Sequence, residues 1–214
     1  IELEGLYSHF ATADEGDLSY ANSQLSKFNE VVKIAKKLDI YPTFIHCSNS
    51  GAILNVKESR FNMVRAGMLL YGAFPSDEVP QELPIKPVMT FTAPVVEIRD
   101  VKAGTHISYG GVYTTKSDTR IAVVQAGFAD GVPRPWYIDG FVKFKDQNFK
   151  ITGRICMDQL MIDIGSADIQ YGDEVLIFGS NEHGSIDINH IAKKIDSTSY
   201  VLVTAIGIRP KRVY

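Results

Sequence analysis

The chain has 214 residues, enough for one large domain or for two modest domains with cores of their own. Hydrophobic residues make up 45% of it and charged residues 22%, which is the composition of a globular protein rather than a disordered or fibrous one. The net charge of -3 gives no reason to expect nucleic acid or an anionic membrane as a partner.

The apolar runs are far shorter than the roughly 20 residues of a membrane-spanning helix, and the first residues lack the basic start of a secretory signal. Two cysteines, Cys47 and Cys156, are too few for a disulfide framework. We therefore predict a cytosolic protein without a metal site. The sequence starts at Ile1, directly in an apolar stretch, and this favours truncation.

Residues 1 to about 73 alternate strand-like and helix-like segments. The segment EGLYSHFA, residues 4–11, is predicted to be a strand. Residues 20–38 are predicted to form a helix, with Asp17 or Ser19 as its N-cap, because apolar side chains recur at helical spacing. The expected apolar face consists of Ala21, Leu25, Phe28, Val32, Ala35 and Leu38.

Further along, YPTFIHCSNS (residues 41–50) is predicted to be a second strand and residues 51–55 a short helix. FNMVRAGMLLYG, residues 61–72, is predicted to be a third strand. Strands separated by helices are typical of βα units and of a parallel sheet. Three such units are too few to close a barrel, which takes about eight. This region is therefore expected to be part of a larger α/β domain.

A proline-rich segment, PSDEVPQELPIKP at residues 75–87, is predicted to separate two domains, 1–86 and 87–214. The second domain consists of short strand-like stretches separated by glycines. Residues 142–145 alternate apolar and polar side chains, as expected of an antiparallel strand.

Two segments near the end of the chain have a helical or an ambiguous pattern. A helix is predicted at residues 187–196, where isoleucines and an alanine fall on one face. SYVLVTAIG, residues 199–207, is rich in β-forming residues but fits a buried helix equally well. We therefore expect part of an α/β domain followed by an antiparallel β domain.

Polar residues of the first domain fall at the predicted strand ends, where parallel α/β folds bind ligands. His9 has an ordinary structural explanation, and Ser50 could simply cap the short helix. Arg65 lies in an apolar run and needs an acceptor partner. Together they favour an anionic or heteroaromatic ligand, and Ser50 with the backbone N–H groups near Gly67 and Met68 could hold a phosphate.

Seven short motifs stand in order along the whole chain: YSHFATADE, HCSNSGA, VRAGMLLYG, ISYGGVYT, GFADGVPR, GRICMDQ and RPKRVY. In this order and spacing they resemble the C-terminal part of alanine racemases, pyridoxal-phosphate enzymes built from a barrel and a β domain. The combination of the SYGG and CMDQ motifs is specific, although each alone is weak. The resemblance implies the C-terminal portion of a TIM-type (β/α)8 barrel, about three βα units, followed by an antiparallel β domain.

The resemblance assigns Tyr109 as one of two catalytic bases that move a proton at the substrate α-carbon. A free phenol has a pKa of about 10 and is a poor base at neutral pH, so a neighbouring histidine and a cation would have to favour its ionised form. His9 matches the histidine beside the cofactor. Arg65 matches the arginine that faces the pyridine nitrogen, which then stays unprotonated and makes the ring a weaker electron sink.

Other positions are assigned to binding in the same way. Ser50, Gly67 and Met68 match phosphate-binding positions, and Tyr200 matches a tyrosine whose hydroxyl also reaches the phosphate. Met157 matches a position whose backbone N–H binds the substrate carboxylate, with Asp158 as its support (from the side chain alone, Met157 would be a core methionine). The resemblance also implies alanine as substrate, D-alanine supply for the bacterial cell wall, and a head-to-tail homodimer with composite active sites.

Four features depart from the family pattern. The lysine that carries the cofactor as an aldimine lies in a K-A-N-A-Y-G motif, and this sequence contains no such motif. An arginine that helps to hold the substrate carboxylate is also missing, so the 214 residues alone are expected to be inactive. Phe128 replaces a usual tyrosine and Val132 a common aromatic in the access path, which leaves a broader amino-acid (serine) racemase open.

Three alternatives to alanine racemisation follow: that broader racemase, a non-catalytic fragment that binds cofactor or stabilises a partner, and a barrel-type pyridoxal-phosphate decarboxylase of basic amino acids. The SYGG motif argues against the decarboxylase, which generally has a cysteine-bearing motif there. The β domain after about Pro87 excludes a barrel-only cofactor carrier.

Overall fold

A computed structural model describes residues 2–214, which form two compact units, one up to Lys86 and one from Pro87 to Tyr214. In the first unit, β1 (Gly5–Tyr7) pairs in parallel with β2 (Phe44–His46), so that Tyr7 lies opposite His46. The helix α1 (Ser19–Lys37) connects the two strands. This βαβ connection places the ends of both strands at the same edge of the sheet.

The helix α1 buries Ala21, Leu25, Phe28 and Val32 against the core of the first unit, as the helical spacing predicts. Leu38 is exposed because the helix ends at Lys37, so the expected face is one residue too long. The N-cap is Leu18, not Asp17 or Ser19. Asp17 nevertheless acts at this end, since its carboxylate accepts a hydrogen bond from the Ser19 N–H at 2.9 Å.

The short helix α2 (Ser50–Asn55) is present, with Asn49 as its N-cap. The prediction of a third strand at residues 61–72 is wrong. Residues 61–67 form no strand, and a 3-10 helix spans Met68–Tyr71. The Asn62 side chain explains the difference, because it accepts from the Ile45 N–H at 2.8 Å and donates to the Thr43 carbonyl at 2.8 Å. A side-chain amide thus occupies the edge of β2 that a third strand needs.

The second unit contains a seven-stranded antiparallel sheet. Its strands are β3 (Phe91–Val101), β6 (Thr119–Val124), β7 (Phe141–Phe144), β8 (Gln147–Lys150), β9 (Leu160–Asp163), β10 (Glu174–Asn181) and β11 (Gly184–Ile186). They lie in the order β8–β7–β10–β3–β6–β9, with β11 paired to β10. Val142 and Phe144 of β7 are buried, which confirms the predicted alternation. A separate two-stranded hairpin joins β4 (His106–Ile107) to β5 (Tyr113–Thr114).

Two helices follow the sheet. Asp187 caps α3 (Ile188–Lys194) by accepting a hydrogen bond from the Asn189 N–H at 2.9 Å. The ambiguous SYVLVTAIG segment forms the helix α4 (Ser199–Ala205), which buries Leu202 and Val203. No helix in residues 2–214 has the length and apolar character that a membrane crossing requires.

Candidate functional site

Arg65 is the centre of the polar cluster at the strand ends of the first unit. Its guanidinium nitrogens lie 2.6 Å from Nδ1 of His46 and 3.1 Å from Nδ1 of His9. It also donates to the carbonyl of Ser8 at 2.9 Å. No carboxylate pairs with Arg65 within residues 2–214. The partly buried guanidinium of Arg65 is therefore hydrogen-bonded to imidazole nitrogens and a backbone carbonyl and, among the described residues, not to a carboxylate.

These contacts determine the tautomers of both histidines. A guanidinium can only donate hydrogen bonds, so the Nδ1 atoms of His9 and His46 must accept and carry no proton. Burial lowers the pKa of His46, and the positive charge of Arg65 lowers it further. His46 also stacks on Tyr7, with ring centroids 5.5 Å apart and planes only 10° from parallel. His46 is thus held neutral in one orientation.

Ser50 and Gly67 form a second contact in the first unit. The Gly67 N–H donates to Oγ of Ser50 at 2.9 Å. A hydroxyl that accepts this bond keeps its own proton for another partner. Gly67 is exposed, whereas Met68, the first residue of the 3-10 helix, is buried. A backbone hydrogen bond connects the segment of Ser50 with that of the Arg65 cluster, because the Arg65 N–H donates to the Ser48 carbonyl at 2.9 Å.

In the second unit, the SYGG motif lies against the GRIC motif. Oγ of Ser108 donates to the Arg154 carbonyl at 2.6 Å, and a Cβ on Gly110 would lie 2.9 Å from the Arg154 guanidinium. Tyr109 begins a 3-10 helix (Tyr109–Gly111), and its side chain is 69% exposed. The described residues give its phenol no hydrogen bond.

The GFADG motif packs on the CMDQ motif through backbone contacts. The Phe128 N–H donates to the Cys156 carbonyl at 3.0 Å, and the Ala129 N–H donates to the Met157 carbonyl at 2.9 Å. A Cβ on Gly127 would collide with both of these carbonyls, so only glycine allows this approach. Met157 is exposed, and its position is set by its backbone rather than by side-chain packing.

The closing RPKRVY motif joins the same surface through Arg209. Its guanidinium lies 3.0 Å from the Asp130 carboxylate and 2.5 Å from that of Asp158. The hydrogen bond to Asp158, and then the charge of Asp130, raise the pKa of Arg209. Asp158 therefore supports the CMDQ segment by an ion pair, and four motifs that are distant in sequence meet on one surface of the second unit.

The remaining aromatic positions have different surroundings. Tyr113, on β5, donates to the Asp163 carboxylate at 3.0 Å. Burial raises the pKa of Tyr113, as do the hydrogen bond to Asp163 and its charge. Tyr200 is exposed on α4, whose end packs near Gly131 of GFADG. Val132 is only 1% exposed and therefore does not line an open path, contrary to expectation, whereas Phe128 is exposed.

Sequence patterns missed several residues of these clusters. Neither the backbone of Ser108 nor the stacking of Tyr7 on His46 has a local signal in the sequence. Asp130 lies in the GFADG motif and Arg209 in the RPKRVY motif, and their pairing joins segments far apart in the chain. Ionic partners at such separations cannot be read from spacing.

Two family models match the chain: "Alanine racemase, N-terminal domain" over residues 1–75 and "Alanine racemase, C-terminal domain" over residues 88–214. The chain belongs to the alanine racemase family. The alanine racemase of Desulforamulus reducens is 39% identical over all of this chain. The chain covers 58% of that protein, so it spans about half the length of the curated relatives it matches.

Solved structures of alanine racemases have the same fold. The Clostridium difficile enzyme, in complex with cycloserine, superimposes with a TM-score of 0.90 at 38% identity, covering 97% of this chain and 55% of that one. The Bartonella henselae enzyme, with covalently bound pyridoxal phosphate, gives a TM-score of 0.87 at 28% identity, covering 100% of this chain and 57% of that one. The predicted fold class, a partial barrel followed by a β domain, is confirmed.

Proposed function

We propose that this chain supplies a catalytic tyrosine and part of the pyridoxal-phosphate site of an enzyme that interconverts L- and D-alanine. The observation that carries the proposal is the Arg65 cluster: a partly buried guanidinium whose partners are neutral imidazoles and backbone carbonyls. An arginine without a carboxylate partner has donor capacity left for a ligand. Membership of the alanine racemase family supports the same function.

The donor set of the first unit fits pyridoxal phosphate. Arg65 can only donate, so a pyridine nitrogen facing it would have to accept and remain unprotonated. Oγ of Ser50 accepts a hydrogen bond from the Gly67 N–H, so its own O–H is free to donate a hydrogen bond to a phosphate oxygen. His9, Gly67, Met68 and, from the second unit, Tyr200 complete the proposed cofactor-binding residues. When bound, the cofactor supplies the electron sink for cleavage of the substrate Cα–H bond.

Tyr109 is proposed to move the proton at one face of the substrate Cα. Its phenol is exposed and has no hydrogen bond within residues 2–214, so it is available to a substrate and to a cationic or imidazole partner. A base must lie within hydrogen-bond reach of the proton that it removes. No lysine of this chain lies in a K-A-N-A-Y-G motif, and the second base is therefore not assigned to any residue here.

Met157 is proposed to bind the substrate carboxylate through its backbone N–H. The turn around it is held at both sides, because the Cys156 N–H donates to the Gln159 carbonyl at 2.9 Å and Asp158 pairs with Arg209. A fixed N–H donor loses little entropy when it binds a carboxylate. We also propose the head-to-tail homodimer, in which the exposed Tyr109 and Met157 of one subunit serve its partner's site.

A fusion protein tests the proposed function. The part of the Desulforamulus reducens racemase that this chain does not match is joined before residue 1, and D-alanine formation from L-alanine is measured with added pyridoxal phosphate. We expect racemisation by the fusion and none by the 214-residue chain alone. Tyr109→Phe in the fusion should abolish turnover, whereas Tyr113→Phe should not. Turnover that survives Tyr109→Phe would contradict the assignment.

A broader racemase is the second candidate, because the exposed Phe128 lacks the hydroxyl of the usual tyrosine. The same fusion is assayed with L-serine and L-alanine, and Phe128→Tyr is the matched variant. A single hydroxyl or methylene in a pocket changes discrimination by about 10–200-fold. Serine turnover that falls in Phe128→Tyr while alanine turnover persists would support this candidate.

A further inference from the structure

Ser108, immediately before Tyr109, has an unusual backbone conformation. Its φ is 63° and its ψ is -177°. This region of backbone space is essentially restricted to glycine, so a residue with a side chain there is strained. The strain lies between the end of β4 at Ile107 and the 3-10 helix that begins at Tyr109.

The Ser108 side chain provides the contact that holds this conformation. Oγ donates to the Arg154 carbonyl at 2.6 Å and lies 3.6 Å from Sγ of Cys156. Gly153 makes the approach possible: a Cβ there would lie 2.7 Å from Cβ of Ser108 and 2.6 Å from the Ile107 carbonyl. The strained residue is thus fastened to the GRIC segment by its own hydroxyl.

Tyr109 depends on this fastening more than a packed side chain would. Its ring is exposed, and its phenol has no hydrogen bond within residues 2–214. Side-chain contacts within the described chain therefore do not fix where the phenol points. The direction of its Cα–Cβ bond comes from the backbone at Ser108 and from the 3-10 turn that follows.

We propose that Ser108 is the positioning residue of Tyr109: its hydroxyl holds a strained backbone that aims the phenol. The proposal rests on the proposed function, because the direction of the Tyr109 phenol matters for catalysis only if Tyr109 is the base. A glycine would adopt the same backbone without steric cost but could not anchor it. Serine is strained in this conformation, but its hydroxyl bonds to the Arg154 carbonyl and holds the backbone there. Strained backbones of this kind cluster at functional sites.

The pair Ser108→Ala and Ser108→Gly separates the anchor from the strain. Alanine removes the hydroxyl and keeps the strain, so the segment should leave its conformation. Glycine removes both, so the conformation stays accessible. In an ordinary loop glycine loosens the chain more than alanine does, and the proposal predicts the reverse order. Ser117, exposed in a bend, gives a matched control pair, Ser117→Ala and Ser117→Gly.

The first measurement is amide hydrogen exchange of residues 109–111 in the 214-residue chain, which needs no activity. We expect exchange to increase in the order wild type, Ser108→Gly, Ser108→Ala, and to be unchanged at these residues in both Ser117 variants. If Ser108→Ala exchanges like wild type, or if Ser108→Gly exchanges fastest, Ser108 does not hold the segment and the proposal is wrong.

The second measurement uses the racemase fusion. We expect kcat to fall about tenfold in Ser108→Ala, and less in Ser108→Gly, with KM little changed. The deuterium isotope effect for Cα–H removal should rise for only one alanine enantiomer, because one base serves each face. An equal change for both enantiomers would mean a general structural effect and would overturn the proposal. An inactive fusion would count against the proposed function alone, because amide exchange at residues 109–111 tests the role of Ser108 without any activity.

Discussion

Asp130 and Asp158, from two separate motifs, are bound by the same guanidinium, that of Arg209. Asp130 also accepts a hydrogen bond from the Gly127 N–H at 2.9 Å, so its carboxylate is satisfied on both sides. The end of the chain thereby holds the turn that carries Met157. This relationship has a direct consequence for an Arg209 variant.

Arg209→Gln should increase amide exchange at residues 156–158, because the two carboxylates lose their shared cation. The effect should shrink at high salt, which screens exposed ion pairs. Arg99→Gln is the matched control, since among the residues that the structure describes Arg99 pairs with a single carboxylate, that of Glu97, at an exposed site. Unchanged exchange at residues 156–158 in Arg209→Gln would contradict the proposed support of Met157.

Gly127→Ala should destabilise the second unit by about 1–3 kcal/mol, the usual cost of overpacking. A Cβ at this position collides with the carbonyls of Cys156 and Met157, although the backbone itself suits alanine. Gly207→Ala is the control, because its Cβ would meet nothing within 4 Å. Urea unfolding followed by fluorescence of Trp136, the single tryptophan and a buried residue of this unit, measures both variants. Equal stabilities would refute the close approach.

Tyr113→Phe should lower the stability of the fold but not abolish racemisation, whereas Tyr109→Phe should abolish racemisation but not lower the stability. Tyr113 donates to Asp163, and losing that bond should cost about 1 kcal/mol of unfolding free energy without abolishing racemisation. Tyr109 has no hydrogen bond within residues 2–214, so its phenylalanine variant should unfold like wild type. Trp136 fluorescence reports unfolding, and the racemase fusion reports turnover. A stability loss in Tyr109→Phe of the same size would show a structural role for its hydroxyl.

His46 should titrate below its ordinary pKa of 6.5, because burial and the charge of Arg65 both oppose protonation. A histidine with a lowered pKa in the folded state contributes stability that is complete above pH 6.5 and is lost as pH falls through the folded pKa. The protection factors of the amides at residues 44–46, which correct for the slower intrinsic exchange in acid, should therefore fall on acidification. NMR titration of the imidazole measures the pKa directly, and Arg65→Met should raise it in part. A wild-type value at or above 6.5 would contradict the contact.

Cys47 should resist alkylation while Cys156 reacts. Burial raises the pKa of the Cys47 thiol to about 11, and its Sγ donates to the Ser59 carbonyl at 3.4 Å. The thiolate is the nucleophile, so at pH 8 very little of Cys47 can react. Iodoacetamide labelling with peptide mass analysis should show Cys156 modified first and Cys47 only after denaturation. In Cys156→Ser the native chain should take up almost no label.

Local sequence patterns predicted the elements whose residues bury one face. The spacing of Leu25, Phe28 and Val32 predicted α1, and the alternation around Val142 predicted β7, because burial in each case follows the period of the element itself. The motifs that carry the family resemblance were also visible in the sequence. They led to the family that the comparisons show.

Patterns failed where a partner from elsewhere in the chain decided the outcome. The segment containing Arg65 looks like a strand, but the Asn62 side chain takes the backbone partners on β2. SYVLVTAIG fitted a strand and a buried helix equally well, and the fold makes it a helix that buries Leu202 and Val203. The family resemblance placed Val132 in the access path, but the residue is buried.

By itself, the sequence determined the helices α1, α2 and α3, the alternation of β7, and which residues are candidates for chemistry, and it led us to propose two domains that meet at Pro87. Only the tertiary structure decided how those candidates are held. Arg65 has neutral partners, Arg209 joins two carboxylates, and Ser108 is strained beside Tyr109. Periodicity reports on faces of local elements, whereas these contacts depend on backbone angles and on atoms that come together only when the chain folds.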